Sequence, residues 1–261
     1  MEKGTCLFLG TGASTGTPKI GCSCPVCLST DEKNKRLRTS VLLRCGGKNI
    51  LVDPSPDIRQ QALRYGIDRI DGVIITHSHY DHVGGLEELR VYNFLQSGPI
   101  ECLLKQSSFE DIQKLFFYLF LPPKNGQSYS SQFYFNPLHA SEGGVEFCGL
   151  PFSYFTYMQG SMPVLGFRLG SFAYVTDIKS YSEDIFPPLY GVKTLVVSAL
   201  GKGPSSFHLT IDEAVDFASR TGCEKAYFVH VSHEVDYERV SSELKEGMHL
   251  SYDGLECIFD I

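Results

Sequence analysis

At 261 residues, with 43% hydrophobic and 20% charged side chains, the chain has ordinary globular composition and enough apolar residues for a sizeable core, which excludes a disordered segment. The length suits one large α/β unit, so a single domain over 1–261 is expected. A net charge of −7 argues against coating extended nucleic acid, because a phosphate backbone rewards clustered Lys and Arg.

The opening stretch, MEKGTCLFLGTG, has too short an apolar run for a signal peptide, and no later run approaches a membrane span. A cytoplasmic location without membrane association is expected. Nine cysteines, an odd number, then read as reduced thiols, with any cluster binding metal in preference to forming disulfides.

In chain order, TCLFL is the first strand, and GCSCPVC at 21–27 follows, placing Cys22, Cys24 and Cys27 within seven residues as a zinc-type cluster. The basic group Lys33, Lys35, Arg36 and Arg38 reads as a solvated turn. SVLLR, NILVD, GVIIT, PIECLL, VLGFRL, FAYVTD, TLVVSAL and AYFVHV read as further strands, being rich in branched and aromatic residues. Helices are expected over Asp57 to Tyr65, Ser107 to Phe120, Thr210 to Ser219 and Tyr237 to Leu244; Thr210 with Glu213 forms a capping box. The stretch from Leu121 to Ala140 reads as an irregular loop and a candidate cover for a cleft. His139 and His249 read as surface or structural residues, and Cys6, Cys45, Cys102, Cys148, Cys223 and Cys257 as small hydrophobes.

The densest signal is His77-Ser78-His79-Tyr80-Asp81-His82, directly after GVIIT. Clustered imidazoles without a cation leave donors unpaired and repel when protonated, so a metal centre of zinc, iron or manganese type is indicated. The next residues, Val83-Gly84-Gly85-Leu86, are expected to let the backbone turn tightly into a helix.

HSHYDHVGG resembles the HxHxDH signature of the metallo-β-lactamase superfamily. LGTGASTGTP, VTD at 175–177, HLT at 208–210, FVHVSH and SYDGLE fall in the order that superfamily shows. With GCxCxxC after the first strand, the chain looks most like the subgroup typified by the phosphonate-pathway cyclic phosphodiesterase. The resemblance implies an α/β fold of four layers, αββα. It also implies a structural zinc on Cys22, Cys24, Cys27 and His233, and two divalent metals, zinc or manganese, at a catalytic centre. His77 and His79 would hold one metal, Asp81, His82 and His230 the other, and Asp177 would bridge them. Asp53 would orient the metal loop, and His208 would act on the leaving group, making it with Asp81 a catalytic residue. The implied reaction is hydrolysis of a small or cyclic phosphodiester by a metal-activated hydroxide.

One position departs from the family pattern: Gln159 stands where a third ligand of the first metal, a histidine, belongs. An amide oxygen is a harder and weaker donor, so that site is expected to bind zinc less firmly, to prefer manganese, or to be lost. The alternatives are an RNA 3′-processing nuclease, a quinone-cofactor biosynthesis type member, and a zinc-stabilised scaffold without catalysis. Homodimers occur in the family, but no interface is identifiable in the sequence.

Overall fold

The computed structural model describes residues 2–121 and 130–261. Strands β1 to β6 are Lys3–Gly10, Ser40–Cys45, Lys48–Val52, Gly72–Ile75, Ile100–Lys105 and Phe133–Leu138. Strands β7 to β14 are Glu142–Phe147, Leu150–Gln159, Met162–Leu169, Phe172–Val175, Thr194–Ser198, Lys225–Val229, Met248–Leu250 and Glu256–Asp260. They form two seven-stranded sheets, one in the order β14-β1-β2-β3-β4-β5-β6 and the other β13-β12-β11-β10-β9-β8-β7. In each, an antiparallel part joins a parallel one: β3 to β6 run parallel in the first sheet and β10 to β13 in the second.

Side chains of a strand alternate between faces, and here both faces are covered. In β1, Cys6 and Phe8 face the core between the sheets, where Phe167, Tyr174 and Val196 also lie. Leu7 and Leu9 face outward into a second cluster with Ile58, Leu86 and Ile112. In β11 and β12, Leu195, Val197, Ala226 and Phe228 face outward onto Ala214, Phe217 and Val240. Burial on both faces explains why GVII in β4 is apolar throughout.

The outer layers come from helices α1 (Pro25–Leu28), α2 (Ile58–Tyr65), α3 (Tyr80–Val83), α4 (Arg90–Gln96), α5 (Gln106–Leu115), α6 (Ile211–Thr221) and α7 (Tyr237–Glu243). Helix, sheet, sheet, helix is the αββα sandwich the resemblance implies. The expected capping box is present: Glu213 N donates to Thr210 Oγ1 at 3.2 Å, and Thr210 N donates to Glu213 Oε2 at 2.7 Å. No described helix is long and apolar enough to cross a membrane.

Three expectations need correction. Of the supposed loop over 121–140, residues 122–129 lie outside the described residues, but 133–138 is β6, parallel to β5. Phe133 and Phe135 pack on the outer helical layer, and Pro137 is tolerated because β6 is an edge strand. The basic cluster is no solvated turn. Arg36 is 1% exposed, Arg38 pairs with Asp57 at 3.0 Å, and the Lys33 ammonium lies 4.6 Å from the Tyr237 ring centroid. Gly84 and Gly85 serve close approach, because their φ angles of −62° and −95° are open to any residue. A Cβ on Gly85 would fall 2.2 Å from the Ser55 carbonyl oxygen.

Asp253 ties the C-terminal turn to the N-terminal loop. Its carboxylate accepts from Thr11 N at 2.9 Å, Thr11 Oγ1 at 2.8 Å and Leu37 N at 2.8 Å. Truncation would strand these buried donors. Asp253→Ala is therefore expected to cost at least about 2 kcal/mol, read as a lower midpoint in urea unfolding; an unchanged midpoint would show that the latch is dispensable.

Candidate metal centre

The site gathers at the ends of parallel strands from both sheets. Asp53 follows β3, His77 and His79 follow β4, Asp177 follows β10, and His230 follows β12. Asp53, Asp177 and His230 each take left-handed backbone, with φ of 57°, 54° and 59°. Asp and His are among the non-glycine residues that adopt this conformation most often, and its recurrence at three site positions marks the chain's sharp exit from each strand.

Asp53, fully buried, accepts from Thr76 N at 2.8 Å, Thr76 Oγ1 at 2.7 Å and His82 Nδ1 at 2.7 Å. With Nδ1 so engaged, His82 points Nε2 into the cluster, which is the orienting task expected of Asp53. Thr76 also lies 3.0 Å from His77 Nδ1 through its hydroxyl. Sequence reasoning passed over Thr76, although it stands directly before the histidine run.

Around Asp177 the separations are regular. His82 Nε2 lies 3.4 Å from Asp81 Oδ2 and 3.3 Å from Asp177 Oδ2. His230 Nε2 lies 3.3 Å from Asp81 Oδ2 and 3.3 Å from Asp177 Oδ1. A charge-assisted N–H···O bond closes to about 2.7–2.9 Å, as His82 to Asp53 does. By contrast, ligands about 2.0–2.1 Å from a tetrahedral ion stand about 3.3–3.4 Å apart. The buried His82 Nε2 makes no hydrogen bond. The donor set, its spacing and the orphaned nitrogen fit a divalent cation among Asp81, His82 and His230, with the Asp177 carboxylate against both histidines.

The other half of the cluster is looser. Ligand atoms of His77, His82 and Asp177 converge within 4.8 Å. His79 is exposed, with Nδ1 2.9 Å from His77 Nε2. Gln159 ends β8, 5% exposed, with Nε2 3.2 Å from Asp177 Oδ1 and 3.2 Å from His208 Nε2. Its Oε1 is buried without a hydrogen bond. The structure thus sets Gln159 against Asp177 and His208, and leaves its amide oxygen as the atom a cation would take.

Burial holds His77 well below the ordinary imidazole value, with the His82 charge adding to it. Burial opposes charge on His82 as well, but the Asp177 and Asp53 carboxylates outweigh it and hold His82 well above that value. For Asp81 and Asp177 alike, burial is overridden by the neighbouring His230 and His82. Both carboxyls end well below the usual carboxylate range. His208 stacks on His230 at 4.6 Å and lies 3.4 Å from Asp177 Oδ1; burial, then the His230 charge, lowers it to about 4.

The second constellation also assembles. Cys22, Cys24, Cys27 and His233 bring their ligand atoms within 4.8 Å of one another. His233 Nδ1 lies 3.6 Å from Cys22 Sγ and 3.5 Å from Cys24 Sγ. A tetrahedral zinc with Zn–S of about 2.3 Å and Zn–N of about 2.0–2.1 Å requires S···N edges of about 3.6 Å. Backbone N–H groups of Lys19 and Cys27 donate to Cys27 Sγ and Cys24 Sγ at 3.3 and 3.4 Å. The His233 hydrogen bond, then that of Cys27 N, lowers the Cys24 thiol to about 6. Cys6, Cys45, Cys102 and Cys257 are buried in the sheets, while His139 and His249 are exposed, as expected.

Residues 48–231 match the family model described as a beta-lactamase superfamily domain, a span that includes the Asp177 cluster and leaves out the Cys-rich element and His233. An octanoyltransferase of Porphyromonas gingivalis is 35% identical over 261 residues, covering 98% of this chain and 51% of that protein. The chain therefore spans about half the length of this curated relative. Among solved structures, a diphosphatase from the PhnP family is 33% identical with a TM-score of 0.90, over 99% of this chain and 98% of that one. Zinc-bound PqqB from Methylobacterium extorquens has a TM-score of 0.76 over 98% of this chain and 100% of that one; at 20% identity the likeness shows the fold alone.

Two outcomes are expected. Cys24→Ser should lower metal content by one zinc per chain in elemental mass spectrometry, with the Asp177 cluster's metal retained; an unchanged zinc count would remove the Cys3His assignment. Gln159→His should tighten binding of the most weakly held ion by about 10-fold or more, the scale on which changes around metal ligands act, measured by chelator competition. Equal affinity in both proteins would mean that position 159 does not touch a metal.

Proposed function

The chain belongs to the metallo-β-lactamase superfamily, and from its cleft we propose that it is a metal-dependent phosphodiesterase acting on small or cyclic phosphodiesters. The observation that carries this reading is the set of His and Asp separations at 3.3–3.4 Å around the orphaned His82 Nε2. Divalent ions held there supply Lewis acidity that activates water and neutralises phosphoryl charge.

The chain's own residues do the rest. Asp81, His82 and His230 would hold one ion, His77 and His79 with the Gln159 amide oxygen the other, and Asp177 would be shared between them. Asp53 fixes the His82 ring. His208, beside Asp177 and on the cleft wall, donates to the oxygen that departs. The cleft encloses 520 Å³, which suits a small ligand. Hydrolysis of a diphosphate linkage is the second reading, supported by the likeness to the PhnP-family diphosphatase. The chain covers 51% of the octanoyltransferase of Porphyromonas gingivalis, so that protein's name carries no activity over to this cleft.

The test is turnover of bis(4-nitrophenyl) phosphate, 2′,3′-cyclic nucleotides and a dinucleoside diphosphate by protein loaded with zinc or manganese. Diester hydrolysis is expected, with His208→Ala lowering kcat by about 10²–10⁴-fold at unchanged metal content. No diester turnover under either metal would end this reading; cleavage of the diphosphate alone would favour the second.

A further inference from the structure

The lining of the cleft beside the metal centre has a composition that the centre does not explain. Among the described residues its side chains include Ser14, Thr15, Ser161 and Ser205 but no Lys or Arg. Nearby cations are engaged elsewhere, Lys202 with Glu243 and Lys179 with Glu213. A substrate phosphate out of reach of the metals would therefore find no charge partner on this wall.

Met162, Leu200 and Phe207 are the large apolar side chains of this lining, and Phe207 is the most exposed of them. Phe207 lines the cleft next to His208, yet is 61% exposed. Its ring lies over Gly160, where an added Cβ would fall 3.8 Å from Phe207 Cε1. The loop that presents it is anchored: Ser205 Oγ accepts from Phe207 N and His208 N at 3.2 Å each, and Leu209 N donates to Ile178 O at 3.0 Å. The sequence therefore keeps most of an aromatic face in water at a place where a bound molecule would cover it. Aromatic faces take flat π-systems in offset or edge-on contact, whatever the ring's identity.

We propose that Phe207 determines specificity by receiving an uncharged aromatic substituent, an aryl group or nucleobase, of a phosphodiester that carries no further phosphate. This rests on the phosphodiesterase reading for the reaction, and on the Phe207 wall alone for the selectivity.

Binding of stable phosphonate monoesters to the metal-loaded chain separates the two. Benzyl methylphosphonate and ethyl methylphosphonate, each a singly charged mimic of a diester, would be titrated calorimetrically into wild type, Phe207→Ala and Phe207→Tyr. The wild type should prefer the benzyl ligand by about tenfold, the scale of one stacking contact. Phe207→Ala should abolish the preference, and Phe207→Tyr should restore it. A phosphate added to the benzyl ring should not tighten binding. Equal affinity of the wild type for both ligands, equal loss of both in Phe207→Ala, or tighter binding of the phosphorylated ligand would each overturn the proposal. If the preference holds while the wild type hydrolyses no diester, the reaction assignment fails and the selectivity stands; turnover without the preference means the reverse.

Discussion

A buried cluster of Asp53, Asp81 and Asp177 with His77, His82 and His230 is the constraint around which this chain is arranged. Such groups gain little by pairing with one another in a dry interior, because desolvation takes back most of the Coulomb energy. Here Asp53 is hydrogen-bonded to His82 at 2.7 Å, but Asp81 and Asp177 stand 3.3–3.4 Å from His82 and His230, longer than a charge-assisted hydrogen bond, and His82 Nε2 is left without a partner. A divalent cation in their midst removes both deficits at once. The fold's contribution is to deliver the ligands from strand ends of two sheets, and the left-handed turns at Asp53, Asp177 and His230 send the chain away immediately after each.

The Cys22, Cys24, Cys27 and His233 group bears on the same cluster through the backbone. His233 lies three residues beyond His230, so a metal that fixes His233 to the N-terminal loop also fixes the strand exit that carries His230. The loop itself is stitched to β12's exit by Ala13 N to Val231 O at 3.0 Å and Val231 N to Thr11 O at 2.9 Å. Gln159 is the asymmetric element. Its amide nitrogen faces Asp177, so a cation beside it would meet an amide oxygen, a weaker donor than an imidazole.

Much of this was legible in the sequence because it is local. HSHYDH is a contiguous run, the three cysteines fall within seven residues, and strands buried on both faces read as apolar runs. The strands that escaped have weaker signals: β6 and β7 are edge strands with Pro137 and Gly143-Gly144, and β13 is three residues long. In β8, Leu150, Phe152 and Tyr154 alternate inward, but Pro151 obscures the pattern. What depends on three-dimensional surroundings was not legible. Arg36 looks like a surface charge and is buried, the glycines after His82 look like a turn and serve close approach, and nothing local marks Phe207 as facing a cleft.

The central claim is that cations, and not hydrogen bonds, hold the Asp177 cluster together. Anomalous X-ray diffraction from crystals of metal-loaded protein, collected at the zinc and manganese edges, tests it most directly. The account predicts peaks flanking Asp177, in contact with His82 Nε2 and His230 Nε2, and a separate zinc peak at Cys22, Cys24, Cys27 and His233. A zinc peak at the cysteines alone, with His82 and His230 drawn in to hydrogen-bond the carboxylates, would contradict it.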